Sequence, residues 1–463
     1  TMGQSYVLHT PGALRDCMRR GTACVHHPYK AGPFYLLLPL NTQPQMTEVN
    51  LATLPGRFST PKVAPVADES YSEAVQRIAA AKQPVIKAGG GTRGHDEIIR
   101  KLAERVGAAV VLSPGSTGVL PDNHPQNMHV GGSKGSISGN YAMENADLLI
   151  AIGTRAVCQA DCSGVGYPKA EAVININGDL NDLMHYANTV GLPGDITAVT
   201  AKLLDEIAKS NMVEPAAKSA WLAACAEQKA AWANFKAERF AAAPIQDEAW
   251  GRPVLTQPVA IKLVADYAKA RNAAKFFDAG DVQANGFQIV EDDRTGDTYT
   301  ESGASYMGFA VSALLASAAA DNPRYGVAFT GDGSFIMNPQ ILIDGIEHGV
   351  KGMIVLFDNR RMAAITGLQD AQYGNEFRTN DGVTVDYVQL ASAVQGVKAV
   401  FGGHDADSLR VALDNAGAYD GLSLVHVPIY AGGDPIGGMG AYGSWNVGNW
   451  VEDVQARYLK QKI

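Results

Sequence analysis

Apolar strand-like runs alternate with helix-like segments in two long stretches of this chain. The first stretch covers residues 71–210, where the spacing predicts helices over 72–81, 96–106 and 196–209 and strands over 84–88, 108–112, 147–153 and 172–176. These strands are almost continuously apolar, as is typical of parallel strands buried on both faces of a sheet. The alternation therefore predicts an α/β domain in which helices cover both faces of a doubly wound, Rossmann-like parallel sheet.

A second stretch of the same kind covers residues 257–463. Its pattern predicts helices over 258–269, 308–320 and 339–348 and strands over 274–277, 325–330, 353–357 and 423–427. The Ala-rich residues 211–256 between the two stretches predict a helical connector. The fold class expected for the chain is therefore α/β, with two doubly wound parallel-sheet domains at residues 71–210 and 257–463.

The first 46 residues predict only a fragment of a domain. A helix over 10–20 precedes the apolar run 34–38, which reads as a buried strand. One helix and one strand cannot enclose a core, so residues 1–46 are expected either to end a larger third domain or to pack against something else. Residues 47–70, rich in Pro, Thr and Asn and without periodicity, predict a linker.

Composition excludes several classes of function. The chain has 463 residues, with 38 Lys and Arg against 47 Asp and Glu, a net charge of −9. This acidic balance argues against binding to nucleic acid or to anionic membranes. No apolar run approaches the roughly 18 residues of a membrane-spanning helix, and the first residues do not resemble a signal peptide. The five sparse cysteines predict reduced thiols, so we expect a cytoplasmic protein.

Two polar positions follow neighbouring predicted strands of the second domain. Gly331-Asp332-Gly333 comes directly after strand 325–330, and Asn359 comes directly after strand 353–357. Both positions should emerge at the carboxyl edge of the sheet, where open α/β folds bind ligands. Their carboxylate and amide oxygens suit Mg²⁺, and the glycines allow close approach of a phosphate. The pattern indicates a metal-bridged diphosphate; a tight turn with an ordinary loop asparagine is the alternative.

These residues resemble the signature of thiamine diphosphate enzymes, in particular the acetolactate synthase and pyruvate oxidase group. The match consists of Gly331-Asp332-Gly333, then 25 residues, then Asn359. The resemblance implies that Asp332, Asn359 and the backbone carbonyl of Arg361 bind Mg²⁺. The family usually has glycine at the position of Arg361, so the local turn departs from its pattern.

Two further segments extend the resemblance. Residues 278–283 are similar to the loop that contacts the diphosphate, and residues 301–308 are similar to the segment whose methionine lies under the cofactor and bends it. From its residues alone, Met307 would more often be a core residue. The cofactor-binding residues implied by the resemblance are Gly280, Asp281, Val282, Ser305, Met307, Gly331, Asp332, Gly333, Ser334, Asn359, Arg361 and Met362.

Three passages are similar to the trihydroxycyclohexanedione hydrolase subfamily: residues 356–359, residues 376–381, and Ser444-Trp445 followed by Val447-Gly448. The implied reaction is cleavage of a C–C bond next to a carbonyl, with hydrolysis of a cyclic 1,2-dione favoured. Decarboxylation or carboligation of a 2-oxo acid is the alternative, and a catalytically silent regulatory or assembly subunit is a further one. Residues 362–370 and Trp445 are the expected substrate contacts.

The resemblance also implies a partner. In the family a glutamate of the pyrimidine-binding domain activates the cofactor, and residues 1–46 resemble only the last part of that domain. No carboxylate of this sequence can be given that role, so the catalytic residue remains unknown. We expect either a separate subunit that carries the pyrimidine-binding domain, in a dimer of heterodimers or a larger hetero-oligomer, or loss of that region from this chain.

The middle domain carries a second candidate site. Gly89-Gly90-Gly91-Thr92-Arg93-Gly94 fits the dinucleotide pattern G-x-G-x-x-G, between a predicted strand and a predicted helix. The acidic residue that should end the next strand is missing, since that strand ends at Leu112-Ser113-Pro114. We therefore do not expect NAD. FAD or ADP remains open, because some members of the resembled family carry one in this flavoprotein-like domain.

Overall fold

The computed structural model describes residues 4–56, 62–65, 69–133, 135–301, 303–380, 382–440, 442 and 452–463. In this part of the chain, two six-stranded parallel sheets and two small two-stranded sheets form. The strands are β1 Gln4–Val7, β2 Phe34–Leu37, β3 Pro84–Ala88, β4 Ala109–Leu112, β5 Asn127–Val130, β6 Leu148–Ile152, β7 Ala172–Asn177, β8 Thr189–Pro193, β9 Ile245–Asp247, β10 Arg252–Val254, β11 Ala274–Phe277, β12 Thr298–Thr300, β13 Gly326–Gly331, β14 Gly352–Asp358, β15 Lys398–Phe401 and β16 Leu422–Pro428.

Helices connect most of these strands and cover both faces of the two larger sheets. They are α1 Leu14–Val25, α2 Glu69–Ala80, α3 Asp96–Val106, α4 Ile137–Asn145, α5 Cys158–Asp161, α6 Leu180–Leu183, α7 Ile196–Ser210, α8 Ser219–Phe240, α9 Gln257–Ala270, α10 Asp281–Ile289, α11 Phe309–Ala313, α12 Ala316–Ala319, α13 Asp332–Met337, α14 Ile341–Glu347, α15 Ala363–Tyr373, α16 Tyr387–Ser392, α17 Ala406–Gly417 and α18 Glu452–Tyr458. None of the helices in these described ranges combines the length and the apolarity needed to cross a membrane.

The first large sheet has the strand order β5-β4-β3-β6-β7-β8, and every neighbouring pair is parallel. The chain moves outward from β3 in one direction and then returns to β6, so the strand order reverses between β3 and β6. Both of these strands are buried along their whole length. The predicted doubly wound α/β domain is confirmed, and its point of reversal places the end of β3 beside the end of β6.

The second large sheet has the order β12-β11-β13-β14-β16-β15, again with parallel pairs. Its order reverses between β11 and β13. The predicted continuous helix over 308–320 is wrong, because the structure has two short helices, α11 and α12. Between them the N–H groups of Leu314 and Leu315 donate to the carbonyls of Val311 and Ser312, three residues back, which tightens the turn locally.

The prediction of a buried strand over 34–38 is also wrong. β2 pairs with β1 in parallel, and along it half-buried residues alternate with exposed ones. Phe34 packs against α1, since a Cβ on Gly21 would lie 3.0 Å from its ring. Tyr35 and Leu37 point away from the helix and are 48% and 43% exposed. A continuous apolar run in the sequence therefore did not distinguish a strand that is packed on one face from a strand that is buried on both faces.

Two buried ionisable side chains, Asp161 and Lys87, lie in the core of the first domain. The carboxylate of Asp161 accepts a hydrogen bond from the hydroxyl of Tyr186 at 3.0 Å, and the ammonium of Lys87 donates to the carbonyls of Leu112 and Gly131 at 3.2 and 2.9 Å. Burial raises the pKa of Asp161 from 3.8 to about 7 and lowers the pKa of Lys87 from 10.5 to about 8.

These two shifts predict how stability depends on pH. Between pH 4 and 7 the folded chain holds the Asp161 proton more tightly than the unfolded chain, so the free energy of unfolding should fall as pH rises. Between pH 8 and 10.5 the unfolded chain holds the Lys87 proton more tightly, so stability should recover. Urea denaturation across this range measures the curve. Asp161→Asn should flatten its acid limb, whereas the exposed control Asp407→Asn should not. An unchanged acid limb in Asp161→Asn would contradict the assignment.

Candidate functional site: the carboxyl edge of the second sheet

Asp332 and Asn359 follow adjacent strands of the second sheet. β13 and β14 are parallel and in register up to the pair Gly331 and Phe357. Asp332 comes one residue after this pair and begins α13, while Asn359 comes two residues after it. The structure therefore places the two residues at the same carboxyl edge, at the ends of adjacent strands and beside the point where the strand order reverses. Asp332 is buried and Asn359 is half-buried.

The turn after β14 explains how arginine occupies the position where the resembled family has glycine. The left-handed residue of this turn is Arg360, with φ 55°, rather than Arg361. The amide oxygen of Asn359 accepts a hydrogen bond from the backbone N–H of Arg361 at 3.1 Å. The Arg361 guanidinium donates to Asn380 at 2.9 Å and to the carbonyl of Ala431 at 2.8 Å. The backbone of Arg361 thus stays at the site while its charge is directed elsewhere.

A cavity of about 200 Å³ lies at this edge. Its walls include all the residues predicted to bind the cofactor: Gly280, Asp281, Val282, Ser305, Met307, Gly331, Asp332, Gly333, Ser334, Asn359, Arg361 and Met362. The other lining residues are Gln257, Ala279, Phe357, Ala363, Ala364 and Ile365. Of these, Ala363, Ala364 and Ile365 belong to the segment predicted to contact substrate, and Gln257 is the one that lies outside every segment that the sequence indicated. The structure brings the predicted residues together; that they bind a cofactor stays a prediction.

One buried carboxylate joins three of the segments that form this cavity. Asp278, fully buried at the end of β11, accepts hydrogen bonds from the N–H groups of Ala279 and Gly308 at 3.0 and 2.7 Å and from the hydroxyl of Thr330 at 2.9 Å. Burial raises the pKa of Asp278, although these hydrogen bonds oppose the rise. Sequence reasoning included Asp278 in a motif without giving it this role; an aspartate directly after an apolar strand was the available signal.

The segment that carries Met307 is held by two side chains. The amide of Gln283 donates to Thr300 at 2.6 Å and accepts from the hydroxyl of Ser305 at 2.9 Å. The carboxylate of Glu301 accepts from the N–H of Ser305, which has the positive φ of 54°. These contacts fix a backbone conformation that a non-glycine residue rarely adopts.

The donor set and the shape of the cavity fit a metal-bound diphosphate. Asp332, Asn359 and the Arg361 carbonyl offer oxygen ligands, which Mg²⁺ prefers. A Cβ on Gly333 would lie 2.9 Å from the sulfur of Met362 and 3.3 Å from the methyl of Met307, so only glycine leaves this wall open without displacing them. These residues would hold a Mg²⁺–diphosphate group.

The region predicted to contact substrate forms the start of a helix. Residues 363–370 belong to α15, and Ala363, Ala364, Gly367 and Leu368 line a second cavity of about 340 Å³. This cavity shares residues with the first one, among them Asn359. The predicted contact Trp445, with Ser444, Val447 and Gly448, lies outside the described residues, and so does Asp381.

The glycine cluster of the first domain lies where β3 and β6 end. A Cβ on Gly89 would come within 2.3 Å of the Gly153 carbonyl oxygen, and one on Gly91 within 3.0 Å of the same atom, whereas a Cβ on Gly90 would be 3.8 Å from its nearest neighbour. Two of these glycines are therefore explained by close backbone packing. A cavity of about 930 Å³ opens at the same edge and is lined by all three, together with Arg93.

Comparison with known protein families and curated proteins finds related domains. Residues 71–203 match the central domain of thiamine pyrophosphate enzymes, and residues 278–427 match their C-terminal TPP-binding domain. The chain is similar to 3D-(3,5/4)-trihydroxycyclohexane-1,2-dione hydrolase of Lacticaseibacillus casei, with 27% identity over 449 residues, 91% of this chain and 68% of the relative.

Acetolactate synthases are similar to nearly the same extent. The large subunit of acetolactate synthase isozyme 1 of Escherichia coli (strain K12) is 26% identical over 410 residues, which cover 87% of this chain and 68% of that subunit. A probable acetolactate synthase large subunit of Methanocaldococcus jannaschii is 27% identical over 378 residues, 80% of this chain and 62% of the relative. The alignments therefore span about two thirds of each relative.

Proposed function

Because this chain belongs to the thiamine pyrophosphate enzymes and carries their central and C-terminal TPP-binding domains, we propose that it binds thiamine diphosphate through Mg²⁺ and cleaves a C–C bond next to a carbonyl. Hydrolysis of a cyclic 1,2-dione is the favoured reaction. The observation that carries the proposal is the meeting of Asp332 and Asn359 at adjacent strand ends, within one cavity.

Six residues of the cavity have a proposed task. Asp332, Asn359 and the carbonyl of Arg361 hold Mg²⁺, and the glycines at 331 and 333 admit the diphosphate. Met307 supports the cofactor from the segment that Gln283 and Glu301 hold in place. Bound thiamine diphosphate supplies an electron sink for the negative charge that C–C cleavage leaves on the substrate. The protein keeps the cofactor in position while this charge develops.

A second candidate reaction is decarboxylation or carboligation of a 2-oxo acid. The similarity to acetolactate synthases, 26% identity against 27% for the hydrolase, favours it almost equally. The two reactions differ in their substrates and products. A cyclic 1,2-dione is opened by water without loss of carbon, whereas decarboxylation of pyruvate releases CO₂.

We further propose that the activating glutamate comes from a pyrimidine-binding domain outside residues 1–46, on a separate subunit of a hetero-oligomer. In this arrangement the chain holds the diphosphate end of the cofactor and the partner holds the other end. Two-fold assembly would give a dimer of heterodimers or a larger complex.

The proposed function is tested by offering the purified chain, with and without such a partner, thiamine diphosphate, Mg²⁺ and either trihydroxycyclohexanedione or pyruvate. We expect consumption of the dione, without CO₂, only in the complete assembly. Release of CO₂ from pyruvate would select the second reaction. No turnover of either substrate by an assembly that binds the cofactor would contradict both.

For the cavity of about 930 Å³ in the first domain we propose FAD or ADP as the ligand. Its place at the reversal between β3 and β6 is where open α/β sheets bind nucleotides. Flavin absorbance in the purified protein, or saturable ADP binding, supports this assignment, and the lack of both contradicts it.

A further inference from the structure

A second cavity adjoins the one proposed for the cofactor. It lies between the starts of α9, α10 and α15 and the segment 430–440, and its volume is about 340 Å³. This is within the range of small-molecule pockets, roughly 300–1,000 Å³. The residues that line both cavities are Gln257, Asp281, Asn359, Ala363 and Ala364. A molecule in the second cavity would therefore be next to the cofactor pocket.

A chain of amide hydrogen bonds sets the orientation of one lining side chain. The backbone N–H of Met439 donates to Asn285 Oδ1 at 3.1 Å, so Asn285 Nδ2 must be the atom that donates to Gln257 Oε1, at 2.6 Å. Gln257 consequently presents Nε2, a donor, on its other side. Gln257 is only 5% exposed, and this Nε2 has no hydrogen-bond partner in the described part of the chain. A buried donor without a hydrogen-bond partner lowers the free energy of unfolding, and an oxygen of a bound molecule would supply that partner.

The charges around the second cavity disfavour an anion. No Lys, Arg or His is among the described residues that line it, whereas Asp281 and Asp434 are. Two guanidiniums outside the lining are engaged by carbonyls of lining residues: Arg361 donates to Ala431 at 2.8 Å, and Arg239 donates to Gly438 at 2.9 Å. A carboxylate entering this cavity would lose its hydration and meet like charge, with no cationic side chain among the described lining residues to compensate.

We propose that this cavity binds the substrate, that the substrate is uncharged, and that Gln257 Nε2 donates a hydrogen bond to one of its oxygens. Gln257 is then a specificity-determining residue that favours a substrate with an oxygen acceptor at this position, while Asp281 and Asp434 disfavour the carboxylate of a 2-oxo acid. The inference rests on the proposed function and deepens it, because it favours the dione over the oxo acid as the substrate.

Isothermal titration of the intact chain, loaded with thiamine diphosphate and Mg²⁺, tests this with myo-inositol, an unreactive hydroxylated ring. We expect saturable binding that an equal concentration of pyruvate does not displace. Gln257→Glu keeps the oxygen that accepts from Asn285 and replaces the donor by an acceptor, so affinity for myo-inositol should fall at least about tenfold, the loss of one hydrogen bond. The control Gln389→Glu adds the same charge on an exposed part of α16 and should leave affinity unchanged.

Three results would overturn the proposal: no binding of myo-inositol to the wild type, equal affinity in Gln257→Glu, or displacement by pyruvate. Since Gln257 also lines the cofactor cavity, thiamine diphosphate affinity is measured in the same proteins and should change less than about twofold, well below the effect of one hydrogen bond. An equal loss of cofactor affinity in Gln257→Glu would assign Gln257 to cofactor binding and also overturn the proposal. Failure of the proposed function would give a different result: the wild-type chain would not bind thiamine diphosphate in the presence of Mg²⁺.

Discussion

Asp332→Ala should lower the affinity of this chain for thiamine diphosphate at least about 100-fold in the presence of Mg²⁺. The substitution removes the anionic ligand proposed for the metal, and a 100-fold loss corresponds to about 2.7 kcal/mol. Without that ligand the metal would be held less tightly. The negative charge of the diphosphate, next to the buried end of β13, would then no longer be offset. Quenching of intrinsic fluorescence on titration with the cofactor, at fixed Mg²⁺, measures the effect.

Asp407→Ala is the matched control for this experiment. Asp407 lies on α17 of the same domain, with a side chain that is 95% exposed and paired with Arg410. Removing its charge should leave cofactor affinity within about twofold of the wild type, because exposed ion pairs contribute little. The idea of a catalytically silent subunit makes the opposite prediction for Asp332→Ala in the assembled enzyme, namely unchanged activity. Wild-type cofactor affinity in Asp332→Ala would refute the proposed metal site itself.

Gly89→Ala should lower the free energy of unfolding by about 3 kcal/mol or more, or prevent the chain from folding. The added Cβ would lie 2.3 Å from the carbonyl oxygen of Gly153 and 2.4 Å from the Cα of Thr154. Both atoms belong to the backbone, so the ends of β3 and β6 would have to separate. Chemical denaturation measures the loss.

Neighbouring glycines supply graded controls. Gly91→Ala meets the same oxygen at 3.0 Å and should have an intermediate effect, and Gly90→Ala, with 3.8 Å of space, should cost less than about 1 kcal/mol. All three glycines line the same cavity, so a role in nucleotide binding alone would not rank them. A ranked loss of stability therefore indicates close packing. Equal effects at the three positions would show that close packing against Gly153 is not the reason for glycine at these positions.

The fold class was predictable because its signals are local. Apolar strands such as 84–88 and 274–277, separated by amphipathic helices, predict a parallel sheet wherever they occur, and the structure has these two strands with the predicted bounds. The two edge strands of the first sheet, β5 and β8, were missed, because Asn127 and His129 in β5 and Gly191 and Pro193 in β8 interrupt the apolar pattern. Edge strands bury less surface and therefore tolerate such residues.

From the residue pattern alone, the candidate site was predictable where its residues follow strands; Ser305 and Met307 were predicted from the family resemblance. Asp332 and Asn359 come directly after apolar runs, so a parallel sheet brings them to one edge. Gln257 and Asn285 have no such signal. They line the second cavity because α9 and α10 pack side by side and because Met439, more than 150 residues further along the chain, closes on Asn285.

By itself, the sequence determined the two parallel sheets and the polar positions that directly follow a strand, such as Asp332 and Asn359. Strand periodicity and strand ends are properties of neighbouring residues. The tertiary structure alone decided which atoms those positions face. The close contact of Gly89 with Gly153, the three hydrogen bonds to Asp278 and the direction of the Gln257 amide all join segments that are distant in the chain. Such contacts depend on how helices and strands pack against each other, and the periodicity of a helix or strand does not show which distant residue a side chain will meet.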